Sequence, residues 1–302
     1  MGMETGPFDR YFGIDWSGAE RSSAQNVYVA EARRGSGGVE VIRVTRARDR
    51  TAAAEFLAGR PFAAAPGWEE WPRPERLDLE RRALVGLDFA FGFPVRFELP
   101  KLGRRWRWED LARWAERLDS RSVSVRKSIR NELTLSKQFR LRGGDLAPPH
   151  KRETDKHVNG VRPESVFHLI GPSQVGTASI TGIAMLERLR RGGRAAVWPF
   201  DPPVRVDRAR VVLVEVFPRL WLGREVRKSE LPDRVDRIER WRAEGVRFER
   251  EAELAAASSG DALDASAAAI GLARGVELPP AEALPEAGAR EGWIAGAEVP
   301  AV

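Results

Sequence analysis

The chain has no cysteine among its 302 residues. A disulfide framework, thiolate zinc or iron–sulfur sites and nucleophilic cysteine chemistry are therefore excluded, and the expected compartment is the reducing, cytoplasmic one. Histidine is almost as scarce. His150, His157 and His168 match no usual ligand spacing, so loop or core roles suit them better than metal binding. Long apolar runs are missing too: the first ten residues lack the basic start and apolar stretch of a secretory signal, and no segment is long enough to cross a bilayer. No membrane partner is expected. Lysine is rare, at 6 of the 50 basic residues, an imbalance that reads as GC-rich coding rather than selection for nucleic acid.

What is present is 42% hydrophobic and 31% charged residues, an ordinary globular balance that can fill one large core. The formal net charge of +6 would suit a polyanion, because basic side chains that replace counterions at phosphates release them. Its location matters more than its size. Between Lys101 and Lys156 there are 16 Lys or Arg against 8 Asp or Glu, so this stretch alone carries the surplus of the whole chain. Both a nucleic-acid grip and an ordinary solvated arginine face remain open for it.

Three β-rich runs open the chain: Tyr11 to Gly18, Asn26 to Ala32 and Val39 to Thr45, the last two joined by a glycine-rich hairpin turn. Thr51 to Gly59 reads as a helix. Ala83 to Pro94 is apolar almost without alternation, the pattern of a strand covered on both faces, and Asp88 interrupts it. Trp108 to Asp119 is an amphipathic helix with Leu111, Trp114, Ala115 and Leu118 on one face. Residues 120–163 show no sustained period and read as an insertion or mobile loop within one domain spanning 1–302. A further helix ends near Arg191, a second buried strand, Ala209 to Pro218, carries Glu215, and Asp233 to Glu244 is helical with Val235, Ile238 and Trp241 aligned. A closing helix begins near Ser258 and stops at Gly275.

Acids inside apolar strands are the strongest chemical signal. A charge there costs several kcal/mol, of order ~3 or more, unless paired or metal-bound. The order βββαβαβα in a mixed sheet with right-handed crossovers brings the first strand beside the later parallel ones, so Asp15 and Asp88 become neighbours. Asp261 and Asp264, spaced i,i+3, share a face of the closing helix. Helix capping would explain those two alone. Four carboxylates converging would instead need a cation, and an all-oxygen donor set without His or Cys favours Mg²⁺ or Mn²⁺.

At these residues the chain resembles the RNase H-like superfamily, in particular domain-of-unknown-function family 429. The similarity lies in Gly-Ile-Asp-Trp-Ser-Gly at 13–18, Gly-Leu-Asp-Phe-Ala-Phe-Gly-Phe-Pro at 86–94, Ser165 to Thr177, Val197 to Asp201, Val214 to Pro218, Asp261 to Ala265 and Glu291 to Ile294. The closing Asp-Ala-Leu-Asp-Ala also looks like the last motif of RuvC-type junction resolvases. The resemblance implies an α/β fold, an RNase H-like mixed five-stranded sheet flanked by helices with a basic insertion. It implies Asp15, Asp88, Asp261 and Asp264 as metal ligands, with Glu215 assisting, in a nuclease that hydrolyses DNA or RNA with Mg²⁺ or Mn²⁺. Two departures stand out: the middle strand carries Asp rather than Glu, and Glu215 has no certain counterpart in the resolvase pattern.

Arg152 and Lys156, beside Thr154 and Asp155, are candidate phosphate contacts, as are Ser173 and Thr177 ahead of a helix start; a solvated loop and a plain turn are the plainer alternatives. Trp106, Trp108 and Trp114 would serve equally as base-stacking platforms or as core. Two other functions compete with the nuclease: an actin-like or sugar-kinase-type nucleotide phosphotransferase, with Asp15-Trp-Ser-Gly starting a phosphate-binding hairpin, and a non-catalytic nucleic-acid-binding protein on the same scaffold.

Overall fold

The apolar segments that carry Asp15 and Asp88 form adjacent parallel strands at the centre of one mixed sheet. The computed structural model describes residues 8–19, 26–68, 81–120, 123–141, 151–160, 162–170 and 175–300. Strands β1 (Arg10–Asp15), β2 (Val27–Gly35) and β3 (Gly38–Ala47) lead into α1 (Arg50–Leu57) and β4 (Ala83–Asp88). Helices α2 (Trp108–Asp119), α3 (Val125–Arg130), α4 (Leu133–Ser136) and α5 (Val175–Arg191) follow, then β5 (Ala195–Val197), α6 (Pro203–Arg208) and β6 (Val211–Glu215). The chain closes with α7 (Arg219–Leu222), α8 (Leu231–Ala243), β7 (Arg247–Phe248), α9 (Arg250–Ser258), α10 (Gly260–Arg274) and α11 (Glu286–Glu291).

The sheet order is β5-β6-β4-β1-β2-β3-β7, and β2 alone runs against the others. Seven strands replace the five expected. The two additions, β5 and β7, have three and two residues, too few for any hydrophobic period to register. Of the later parallel strands, β4 alone lies beside β1, with β6 on the far side of β4. The glycine-rich hairpin turn forms between β2 and β3, where Gly38 takes a φ of +100°, a conformation that costs glycine little.

Side chains alternate to the two faces of the sheet. On one face Phe12, Val85, Leu87 and Leu213 pack against α1, α2 and α5, whose buried stripes include Phe56, Leu111, Trp114 and Ile183. An aromatic cluster extends this core: Phe93 and Phe97 stack at 4.7 Å, and Trp114, Phe139 and Phe167 surround them. Among the described residues of segment 120–163, α3 and α4 deliver Val125, Ile129 and Leu135, and Phe139 follows, into the same core. The three tryptophans are core as well. Trp106, Trp108 and Trp114 are buried, and the indole N–H groups of Trp106 and Trp108 donate to the carbonyls of Phe97 and Phe91, so none is free to stack on a base. Val235 of α8, expected in the core, is exposed, while Ile238 and Trp241 are buried.

The other face is built differently. Helix α10 lies directly across β1 to β4 and presents Ala262, Ala265, Ala268 and Ala269, all buried. A Cβ on Gly13 of β1 would stand 2.1 Å from the Ala265 carbonyl oxygen, and one on Gly86 of β4 would stand 2.9 Å from Leu272 Cδ1, both on α10. Helix and sheet thus meet almost backbone to backbone. That closeness decides where the acids of α10 can reach.

Candidate metal centre

Parallel strands β1, β4 and β6 each end on an acid at the same edge of the sheet: Asp15, Asp88 and Glu215. Asp15 and Asp88 are register partners, and Leu87 pairs with Glu215. The carboxyl ends of strands in open α/β sheets are the usual place for ligands, because loops and helix ends converge there. α10 is capped by Ser259, whose Oγ accepts from the Ala262 N–H at 3.1 Å, so neither Asp261 nor Asp264 is needed as the cap.

One carboxylate oxygen each from Asp15, Asp88 and Asp264 lie within 4.8 Å of one another. Asp264 is 2% exposed, while Asp15 and Asp88 are half-buried. Asp261, one turn earlier, is outside this trio, yet its charge raises the pKa of Asp15 and Asp88. Burial first, and then the neighbouring carboxylates, hold the Asp15 carboxyl well above the ordinary carboxylate range. Burial and the charge of Asp264 push Asp88 up to about 8. Asp264 is raised by burial, with Lys228 pulling it back down. Lys228 Nζ donates to Asp264 Oδ2, whereas Asp264 Oδ1 is buried with no hydrogen-bond partner among the described residues. Three acids thus share one ammonium, and one buried oxygen has nothing to bind.

Glu215 is not part of the trio. Its Oε2 accepts from the Phe91 N–H at 2.8 Å and from Arg152 Nη1 at 2.7 Å, and its Oε1 accepts from Arg152 Nη2 at 2.5 Å. Arg152 Nη2 also donates to Asp155 Oδ1 at 2.8 Å. Arg152 is 3% exposed. The guanidinium expected to contact phosphate is instead a buried tie between the 3-10 turn at Thr154–Lys156 and the end of β6. Lys156 is exposed, pairs with Glu153 at 2.6 Å and does not line the cleft. Thr177 is buried in the first turn of α5 and does not line the cleft either, and its Oγ1 lacks a partner among the described residues. Ser173 lies outside the described residues, as does His150.

A cleft of about 320 Å³ opens over the strand ends, lined by Asp88, Glu215 and Lys228 together with apolar Trp16, Phe89 and Phe217. Trp16, immediately after Asp15, also lines a second cleft of about 430 Å³ that contains Arg50, Arg60 and Arg188. Among the described residues, Arg152 is the one basic side chain between Lys101 and Lys156 that lines either cleft, and Asp119 lines the second. No helix among the described residues is long and apolar enough to cross a membrane.

No protein-family model matches this chain, and no curated protein or solved structure does either. The chemistry has to be read from the side chains themselves. The residue that sequence reasoning missed is Lys228. Its only signal is rarity, a lysine in a chain whose basic residues are overwhelmingly arginine.

Proposed function

We propose that this chain is a Mg²⁺- or Mn²⁺-dependent nuclease on an RNase H-like scaffold, hydrolysing phosphodiester bonds in DNA or RNA. The observation that carries the reading is the convergence of Asp15, Asp88 and Asp264 within 4.8 Å. The central strands support the scaffold, since β3-β2-β1-β4-β6 form a mixed sheet with only β2 antiparallel and α10 crossing it.

The donor set suits a hard cation: carboxylate oxygens only, one of them buried and unpartnered, and an excess of negative charge. Three carboxylates about 4 Å apart repel by about 4 kcal/mol per pair at an effective dielectric near 20, and a single ammonium offsets only part of that. Asp15, Asp88 and Asp264 would hold the ion, with Asp261 adding negative charge at the entrance. When bound, Mg²⁺ or Mn²⁺ supplies Lewis-acid activation of water and charge neutralisation at a phosphodiester. The chain's own side chains do the rest. Phe217, backed by the buried Trp16 and Phe89, gives the cleft an apolar wall for a sugar, and Arg50, Arg60 and Arg188, bonded to Thr181, Glu55 and Asp119, stand beyond Trp16, where a phosphate backbone leaving the cleft would run. Glu215 and Arg152 fix the cleft wall and leave the metal to the three aspartates.

The test is incubation with single-stranded, duplex, hybrid and junction substrates, with and without Mn²⁺. The expected outcome is Mn²⁺-dependent cleavage of at least one substrate that Asp15→Asn and Asp264→Asn abolish. Cleavage that survives both substitutions, or no cleavage of any substrate, overturns the proposal.

A further inference from the structure

The loop between α7 and α8 presents Lys228 to the aspartate trio in an unusual way: its backbone is pinned at several points and its side chain at one. Arg219 Nη1 donates to the Val226 carbonyl at 2.7 Å. The Arg227 N–H donates to Asp233 Oδ2 at 3.0 Å. Buried Arg234 holds the Lys228 carbonyl itself at 2.9 Å, and its Nε donates to the Ala257 carbonyl at 2.8 Å, tying the loop to the end of α9. Gly260 lets this loop touch the start of α10, since a Cβ there would stand 3.0 Å from the Lys228 carbonyl oxygen. The ammonium, by contrast, meets Asp264 Oδ2 alone among the described residues, and the side chain is 38% exposed. Its backbone is fixed and its side chain has a way out to solvent.

The other oxygen of the same carboxylate, Asp264 Oδ1, is buried without a partner. One aspartate therefore has one oxygen bonded to the lysine and a second, buried oxygen that no described residue bonds. A divalent ion drawing on Asp15, Asp88 and Asp264 would meet the Lys228 ammonium at the shared carboxylate, and two cations this close repel each other strongly. A lysine carries its charge on a flexible four-carbon stem and can relocate it without moving the backbone, which the planar, multiply bonded guanidinium of an arginine does less readily. That difference gives a physical reason for a lysine at this position in an arginine-rich chain.

We propose that Lys228 is a tethered counter-ion that competes with a divalent metal for Asp264, occupying the site in the metal's absence and moving off the carboxylate when the metal arrives. The proposal rests on the metal reading above and adds to it a residue that sets the metal affinity. A purely structural Lys228, there only to neutralise a buried aspartate, would stay in place when metal binds.

Two measurements separate these roles. Calorimetric titration with MnCl₂ is expected to give Lys228→Met an affinity about tenfold tighter than the unaltered protein, a difference of about 1.4 kcal/mol. Lys228→Arg, whose guanidinium leaves the carboxylate less readily, should bind Mn²⁺ more weakly than the unaltered protein, and Asp264→Asn should bind at least about tenfold more weakly. The second measurement needs no substitution: reductive methylation with peptide mapping, with and without Mg²⁺, is expected to label Lys228 several-fold more when the metal is present. The exposed Lys156, paired with Glu153, serves as the unchanged control. Equal or weaker Mn²⁺ affinity in Lys228→Met, or Lys228 labelling that stays the same or falls with Mg²⁺, overturns the counter-ion role and leaves the metal site standing. If neither the unaltered protein nor Lys228→Met takes up Mn²⁺, the metal reading falls and this proposal falls with it.

Discussion

Two buried acid clusters sit side by side at the same edge of the sheet, and they are balanced in opposite ways. Around Arg152, the carboxylates of Glu215 and Asp155 are fully used: the guanidinium reaches both, and the backbone N–H groups of Phe91 and Arg152 complete them. Around Lys228, three aspartates face one ammonium, and a buried oxygen is left over. The first arrangement is a solved electrostatic problem and reads as scaffold. The second holds repulsion that the fold itself does not relieve, and groups held in that state mark a place for a ligand of opposite charge. Proximity of acids is common to both clusters, so what separates them is whether the carboxylate oxygens are all hydrogen-bonded, although Arg152 Nε in the first cluster is itself buried without a partner among the described residues.

The contrast can be broken most forcefully at Arg152. Arg152→Met should leave two buried carboxylates without their partner and destabilise the protein by about 3–5 kcal/mol, read in chemical denaturation. A loss below about 1 kcal/mol would mean that the tie is not structural. Gly13→Val attacks the other cluster without touching any acid. The new side chain meets the Ala265 carbonyl and should push α10 off β1, costing about 1–3 kcal/mol by overpacking while weakening Mn²⁺ binding at Asp264. Unchanged Mn²⁺ affinity in a folded Gly13→Val protein would show that close helix–sheet contact is not what assembles the trio.

Asp88→Asn sharpens the comparison in the opposite direction. Removing a carboxyl that the folded state must either protonate or hold beside two other acids should stabilise the metal-free protein by about 1–2 kcal/mol, a few degrees in melting temperature, while abolishing metal-dependent cleavage. A stability loss would place Asp88 with the satisfied cluster. The smallest effect is in pH. Asp88 is pushed up to about 8 in the folded state from an ordinary value of 3.8, so the folded state holds the proton more tightly than the unfolded chain does. Its contribution to stability is fully present below the ordinary value and is lost as pH rises through about 8. Thermal melts of the metal-free protein should therefore weaken between about pH 5 and 8 more than melts in Mg²⁺, which offsets the charge that develops. Parallel curves with and without metal would count against a cation among these acids.

Much of the site was legible because acids in apolar strands violate a strong physical rule. Asp15, Asp88 and Glu215 stood out as charges in segments otherwise fit only for burial, and Asp261 and Asp264 shared a helix face. Sequence reasoning could not divide them into two clusters. That division depends on Arg152, which lies 63 residues from Glu215 in the chain, and on Lys228, 36 residues before Asp264. Strands β5 and β7 were missed because two or three residues hold no period, and the tryptophans near Arg107 were ambiguous because a core indole and a stacking platform look alike until their N–H partners are known.

By itself, then, the sequence determined the α/β character, the central strands, the main helices and the set of acids, since periodicity and the cost of burying charge are local properties of the chain. Tertiary structure alone decided which acids meet, which are neutralised and which are left wanting a cation. Those outcomes depend on through-space distances of a few ångströms between residues far apart in the chain, set here by two glycines that let an alanine-rich helix settle onto the sheet.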